Sequence, residues 1–214
     1  MYRLDLHTHS IISYDGGIGL SEYRQLLSDP NVVLAITDHN QISFALELHM
    51  ELGNRVIIGE EILTQEGEVI GLFLNQLVQP KLPLSEAVSQ IRKQGGLVYI
   101  PHPFEKTRKG LSQASLEKIA GEIDIMEVFN ARSREPWLTR KTEKFALEHK
   151  IASASSSDAH SISGFGTAFS NISELPTSQN LANLLQGSQL VKKSASLGSL
   201  LAPFRNKIRK KLGL

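Results

Sequence analysis

Six short apolar runs in this chain break off in histidine or acid: Leu4-Asp5-Leu6-His7-Thr8-His9, Ile36-Thr37-Asp38-His39, Ile58-Gly59-Glu60-Glu61, Ile100-Pro101-His102, Met126-Glu127, and Ser155-Ser156-Ser157-Asp158-Ala159-His160. Charge at the end of a buried strand needs a partner, so the fold must bring these ends near one another. The runs predict strands over residues 2–9, 32–38, 55–63, 68–75, 96–102, 123–130 and 151–155. Helical patterns fall between them, over 21–28, 42–52, 84–94, 112–120, 136–149 and 179–186, with Pro136 suited to a first turn.

The β–α alternation implies a mainly parallel sheet. Thr64-Gln65-Glu66-Gly67 is too short for a crossover helix, so the third and fourth strands are expected to form an antiparallel hairpin. An open doubly wound sheet gathers ligands at one switch point, whereas a closed barrel collects every strand end at one mouth. Six chemically loaded strand ends therefore favour an α/β barrel, irregular because of the hairpin.

The 214 residues suit one barrel domain over residues 1–190, followed by a basic tail over 191–214. The segment 204–212 has the pattern of a short basic amphipathic helix, with membrane or RNA contact as the secondary reading behind a solvated or loosely docked terminus. The net charge of +1 gives no general argument for nucleic-acid or membrane binding. No apolar run approaches the ~20 residues of a bilayer span and a strand begins at once, so the expected location is the cytoplasm. With no cysteine, any metal must be held by imidazole nitrogen and carboxylate oxygen, a mix that takes zinc, manganese or iron.

His7 and His9 are two apart on a strand and can face one ion together. Asp5, on the same face by simple alternation, is the candidate to orient an imidazole from behind. Asp15 lies in a loop over the site, although taken alone it is better explained by turn chemistry before Gly16. His39 is the natural ligand of its pair, with Asp38 as a neighbour that orients it. Glu61 is the inward carboxylate of the Glu60-Glu61 pair, able to bridge two ions. His102 is stiffly mounted between Pro101 and Pro103, and Glu127, Asp158 and His160 complete the set. His49 and His149 lie inside helical patterns and read as ordinary surface residues.

Asp5-Leu6-His7-Thr8-His9-Ser10, Asp15-Gly16, Thr37-Asp38-His39-Asn40, Gly59-Glu60-Glu61, His102-Pro103 and Ser157-Asp158-Ala159-His160 together resemble the motifs of the polymerase and histidinol phosphatase (PHP) superfamily, over residues 2 to about 190. The resemblance implies a distorted (β/α)7 barrel whose mouth holds two or three divalent ions (zinc, manganese or iron). It puts His7, His9, Glu61 and Asp158 on the first ion, Glu61 and His102 on the second, and Asp15, His39 and His160 on the third. Many members carry histidine where Glu127 stands, so Glu127 is the ligand that departs most from the pattern.

Clustered dications favour phosphoester hydrolysis by a metal-activated hydroxide, with Glu61, Asp158 and His160 as the catalytic residues and the leaving oxygen protonated by water or by a histidine such as His160. Arg132 and Arg134 are candidate phosphate clamps, with Lys106 and Arg108 behind them. The expected substrate is a small phosphomonoester, a nucleotide or a short oligonucleotide. The alternatives are histidinol-phosphate phosphatase activity and an amidohydrolase-type reaction at a carbon centre, though amidohydrolases commonly bridge their metals with a modified lysine where Glu61 stands here.

Overall fold

The computed structural model describes residues 1–213 as one curled sheet flanked by helices. Nine strands, β1 (Tyr2–Thr8), β2 (Val32–Ile36), β3 (Val56–Leu63), β4 (Glu68–Leu72), β5 (Leu97–Ile100), β6 (Ile125–Asn130), β7 (Ala152–Ser156), β8 (Ala168–Ile172) and β9 (Gln189–Lys192), lie in the order β7-β6-β5-β4-β3-β2-β1-β8-β9. β1, β2 and β3 are parallel, as are β5, β6 and β7, while β4 runs antiparallel between the two groups. A bridge between Thr8 and Ala159, with His9 N–H donating to the Ala159 carbonyl at 2.9 Å, brings the ends of β1 and β7 together and nearly closes the barrel.

Among the described residues seven α-helices accompany the sheet: α1 (Leu20–Leu26), α2 (Ser43–Leu52), α3 (Leu84–Lys93), α4 (Gln113–Ile119), α5 (Pro136–Glu148), α6 (Leu181–Gln186) and α7 (Leu197–Lys211). Every residue of β2, Val-Val-Leu-Ala-Ile, is buried, as a parallel strand covered on both faces requires. Val33 and Ala35 face the barrel interior with Leu4, Ile57, Tyr99 and Ala154. Val32, Leu34 and Ile36 pack outward on α1 and α2 through Tyr23, Phe44 and Leu48. α3 lays Leu84, Val88 and Ile91 on the outer face of the hairpin side. α6 contributes Leu181 and Leu185 to the interior cluster, so the barrel is filled with side chains away from the histidines.

Three expectations need correction. β8 and β9 were not anticipated, because Ser170 and Asn171 interrupt β8 and leave no continuous apolar run. The division at residue 190 falls inside β9, and of the solvated and docked readings of the segment beyond it the structure has the docked one: α7 packs against the barrel mouth. Asp5 does not share the face of His7, because the register of β1 against β2 shifts between Asp5 and Thr8. Its carboxylate accepts the backbone N–H groups of His7 (3.3 Å) and Ser157 (3.1 Å) instead of an imidazole.

Candidate metal centre

His7 and His9 project from the end of β1 into the barrel mouth, and the partner on the far side of each ring decides which nitrogen faces the centre. Glu127 accepts from His7 Nδ1 at 3.0 Å, and Ser13 Oγ holds His9 Nδ1 at 3.2 Å. Both Nε2 atoms therefore point inward, 3.1 Å apart. Around them lie Glu61 Oε2, 3.5 Å from His7 and 3.4 Å from His9, and Asp158 Oδ1, 3.8 Å and 3.5 Å away. Donors about 2.0–2.2 Å from a tetrahedrally held ion stand about 3.3–3.6 Å from one another, close to the spacing of this quartet.

Glu61 joins this quartet to its neighbours. Its Oε1 meets His102 Nε2 at 3.0 Å and its Oε2 meets His39 Nδ1 at 3.1 Å. Asp15 reaches His39 Nε2 at 3.6 Å and His160 Nε2 at 3.5 Å. The Asp15 loop packs so tightly that a side chain on Gly16 would run into the Ser10 carbonyl. His102 and Asp158 are held at φ of 29° and 51°, a conformation costing about 1–3 kcal/mol each and tolerated where the surroundings over-determine it.

Donor atoms fall into overlapping groups that could each hold an ion, each with its atoms within 4.8 Å of one another: His7, His9 and Glu61; His7, His102 and Asp158; His9, Asp15, His39 and His160; and His39, Glu61 and Glu68. Asp15 Oδ1 and His160 Nε2 are buried without a hydrogen-bond partner. Inward-facing imidazole nitrogens, carboxylates between them and unpartnered buried polar atoms fit divalent cations held by nitrogen and oxygen.

The charges respond to the same crowding. Burial lowers the His7 imidazole, but Glu61 and Glu127 outweigh it and hold it up at about 9. Burial, joined by repulsion from His160 and His39, pushes His9 well below the usual range. Burial would raise Glu61, yet His39, His7 and His102 overcome it and keep that carboxyl far below normal. Glu68, by contrast, is pushed up to about 8 by burial and by the charge of Glu61.

Of the residues expected at the site, His7, His9, Asp15, His39, Glu61, His102, Asp158 and His160 converge on it. Glu127 stands behind them. Its oxygens accept from His7 Nδ1, Tyr99 OH (2.9 Å), His102 N–H (2.6 Å) and Asn130 Nδ2 (2.9 Å), which uses its acceptor capacity and makes it an orienting group. Asp38 is likewise engaged, accepting Ser10 N–H at 2.7 Å and Ser10 Oγ–H at 2.5 Å. Arg134 turns away: the turn closed by Ser133 N–H on the Asn130 carbonyl sends the two arginines apart, and Arg134 donates to the Ala195 carbonyl at 2.6 Å. His49 and His149 lie elsewhere, on the Val56 carbonyl and on Glu117.

Glu68 is the residue that sequence reasoning missed. β4 is antiparallel, so its first residue, not its last, reaches the rim, and Glu68 lies 3.8 Å from both His39 Nδ1 and His102 Nε2. The signal was available, since the predicted hairpin already placed the start of that strand at the mouth.

A cleft of about 280 Å³ opens over the centre, bordered by Tyr14, Thr107, Arg108, Lys109, Arg132 and Lys207. Arg132 donates to Asp158 Oδ1 at 3.1 Å, and Arg108 pairs with Asp158 Oδ2. Burial and the neighbouring Arg108 lower Arg132 to about 10, which leaves it charged at neutral pH. The mouth thus combines an acidic, imidazole-rich floor with a cationic rim.

A nearly closed, hairpin-interrupted α/β barrel with histidines and carboxylates at its strand-end rim defines the PHP class of fold. A two-domain protein of Bacteroides vulgatus containing a predicted PHP-like metal-dependent phosphoesterase superposes with a TM-score of 0.69 at 18% identity, over 96% of this chain and 69% of that one. A lesion-specific endonuclease of Pyrococcus furiosus superposes with a TM-score of 0.62 at 13% identity, over 88% of this chain and 57% of that one. The chain matches no protein-family model. In sequence it is 36% identical over 177 residues to the uncharacterized protein MJ0417 of Methanocaldococcus jannaschii, covering 81% of this chain and 71% of that protein. The chain has the PHP-type fold of these structures and belongs to one family with that methanogen protein.

Proposed function

We propose that this protein is a metal-dependent phosphoesterase acting on a small phosphomonoester or a short nucleotide. The observation that carries the reading is the pairing of Arg108 and Arg132 with a floor of metal-type donors in one cleft. His7, His9, Glu61 and Asp158 would hold one ion, Glu61, His102 and Glu68 a second, and Asp15, His39 and His160 a third. Bound divalent ions neutralise phosphate charge and bring the pKa of water towards neutrality.

The chain's own residues then divide the remaining work. Arg132 and Arg108 turn their guanidinium N–H donors from Asp158 to the non-bridging phosphate oxygens, the planar paired geometry that arginine is suited to. Glu127 and Ser13 fix the His7 and His9 rings so that Nε2 stays inward. His160 is assigned to holding a cation and not to giving up a proton, since Nδ1 donates to the Asp158 carbonyl at 2.9 Å and Nε2 faces Asp15. The leaving oxygen takes its proton from water. The Pyrococcus endonuclease with this fold supports including nucleotides among the substrates tried.

The test is turnover of p-nitrophenyl phosphate, a panel of phosphorylated metabolites and short oligonucleotides by manganese- or zinc-loaded protein, beside an acyl and an amide substrate. Hydrolysis of a phosphoester is expected, with Asp158→Ala lowering it about 10³-fold and Arg132→Ala about 10²-fold. Turnover of the acyl or amide substrate alone, or full activity in Asp158→Ala, would overturn the reading.

A further inference from the structure

α7 has two opposed faces. One buries Ser199, Ala202 and Pro203 and ties the helix to the mouth: Asn206 Nδ2 donates to the Asp15 and His160 carbonyls at 2.9 Å each, and Lys210 Nζ donates to the Ile11 carbonyl at 2.6 Å and to that of Ser13. The approach is close enough that a Cβ on Gly17 would meet Asn206 at 2.6 Å. The register of this helix is therefore fixed by the barrel.

The other face is apolar and points to solvent. Leu197, Leu201, Phe204, Ile208 and Leu212 recur at steps of four and three along the helix and its cap, and they are 76%, 57%, 64%, 43% and 66% exposed. At 100° per residue they form one stripe. On the same projection Arg205 and Arg209 flank it on one side and Lys211 on the other, Lys207 turning its ammonium towards Asp15 in the cleft, and no acidic residue occurs in the helix. Ile11 and Ile12, each 47% exposed, lie on the loop that Lys210 holds against the last turn of α7. Scattered exposed leucines need no explanation, but a continuous stripe does.

We propose that this face of α7 is a docking surface for an anionic lipid bilayer. An apolar row bordered on both sides by cations is the pattern of a helix that lies in the plane of a membrane surface, with the row among the acyl chains and the cations at the headgroups. Contact is at the surface, since no helix among the described residues is long and apolar enough to cross a membrane. A second copy fits less well, because pairing two such faces would set cations against cations. Nucleic acid fits less well too, since phosphate contacts use the cations and leave the central row exposed to water.

The experiment is co-sedimentation of the full chain with vesicles of phosphatidylcholine alone and of equal parts phosphatidylcholine and phosphatidylglycerol. The protein is expected to pellet with the anionic vesicles, to remain in solution with the neutral ones, and to be released by salt. The double variant L201D/F204D is expected to lose at least about tenfold in partitioning, and R205Q/R209Q to do the same. Circular dichroism and melting temperature should be unchanged in both, because the substituted side chains are exposed. Three results would overturn the proposal: no binding of the unaltered chain to anionic vesicles, equal binding by L201D/F204D, or a dimer or RNA complex that this variant abolishes while vesicle binding persists.

Discussion

Glu60 and Glu61 are neighbours on β3, equally hidden from solvent, and they have opposite fates. Glu61 faces the barrel mouth, where His7, His9, His39 and His102 surround it within 3.5 Å, and His39, His7 and His102 keep it ionised. Glu60 faces outward between sheet and helices, where one oxygen accepts Val78 N–H at 2.9 Å and the other has no partner. Burial pushes its carboxyl up to about 8. Burial of an acid therefore says little about function until its partners are known: one face of this strand surrounds a carboxylate with imidazoles, and the other leaves it to be neutralised by a proton.

The largest expected effect sharpens that contrast. Glu61→Gln should lower phosphoester turnover about 10³-fold and reduce bound metal, counted by elemental analysis of the dialysed protein. Glu60→Gln should leave both unchanged. Equal losses in the two variants would mean that the faces are not functionally distinct.

Glu127 tests the same contrast one layer deeper. It is inward-facing like Glu61, yet all four of its partners donate to it. Glu127→Gln would set an amide N–H₂ against those donors and release the His7 ring. Metal affinity, measured by titration calorimetry, is expected to fall about 10–100-fold with the number of ions unchanged. Loss of a whole equivalent would instead make Glu127 a ligand.

Much of this arrangement was legible in the sequence because strands have a rigid period. Two-residue spacing put His7 beside His9, and the rule that loaded strand ends gather at a barrel mouth brought in His39, Glu61, His102 and Asp158. What was lost depended on breaks in that period. A register shift in β1 moved Asp5 off the face of His7, and strand reversal carried Glu68 to the rim from the wrong end of its strand. The turn after β6 separated Arg132 from Arg134. Only the C-terminal half of α7 was visible, as a short amphipathic helix over 204–212, and its seat over the mouth depends on side chain to backbone hydrogen bonds across 191 residues, which no local pattern encodes.

The smallest effect concerns stability, and its sign follows from the raised carboxyl on the outer face. Unfolded Glu60 ionises near its ordinary value of 4.5, whereas folded Glu60 keeps its proton to about 8. Between these values the folded state binds more protons than the unfolded one, so Glu60 makes stability fall as pH rises, with its favourable contribution complete below about 4.5 and gone above about 8. Asp5, raised by burial to about 7, acts in the same direction in a lower window. Glu60→Gln imitates the protonated form at every pH and leaves Asp5 as it was. Urea unfolding of metal-free protein should therefore find the variant and the parent alike at pH 5, and the variant more stable at pH 8 by roughly 1–3 kcal/mol. A stability difference that does not grow with pH would show that Glu60 has an ionised partner or access to water, and the contrast between the two faces of β3 would then rest on Glu61 alone.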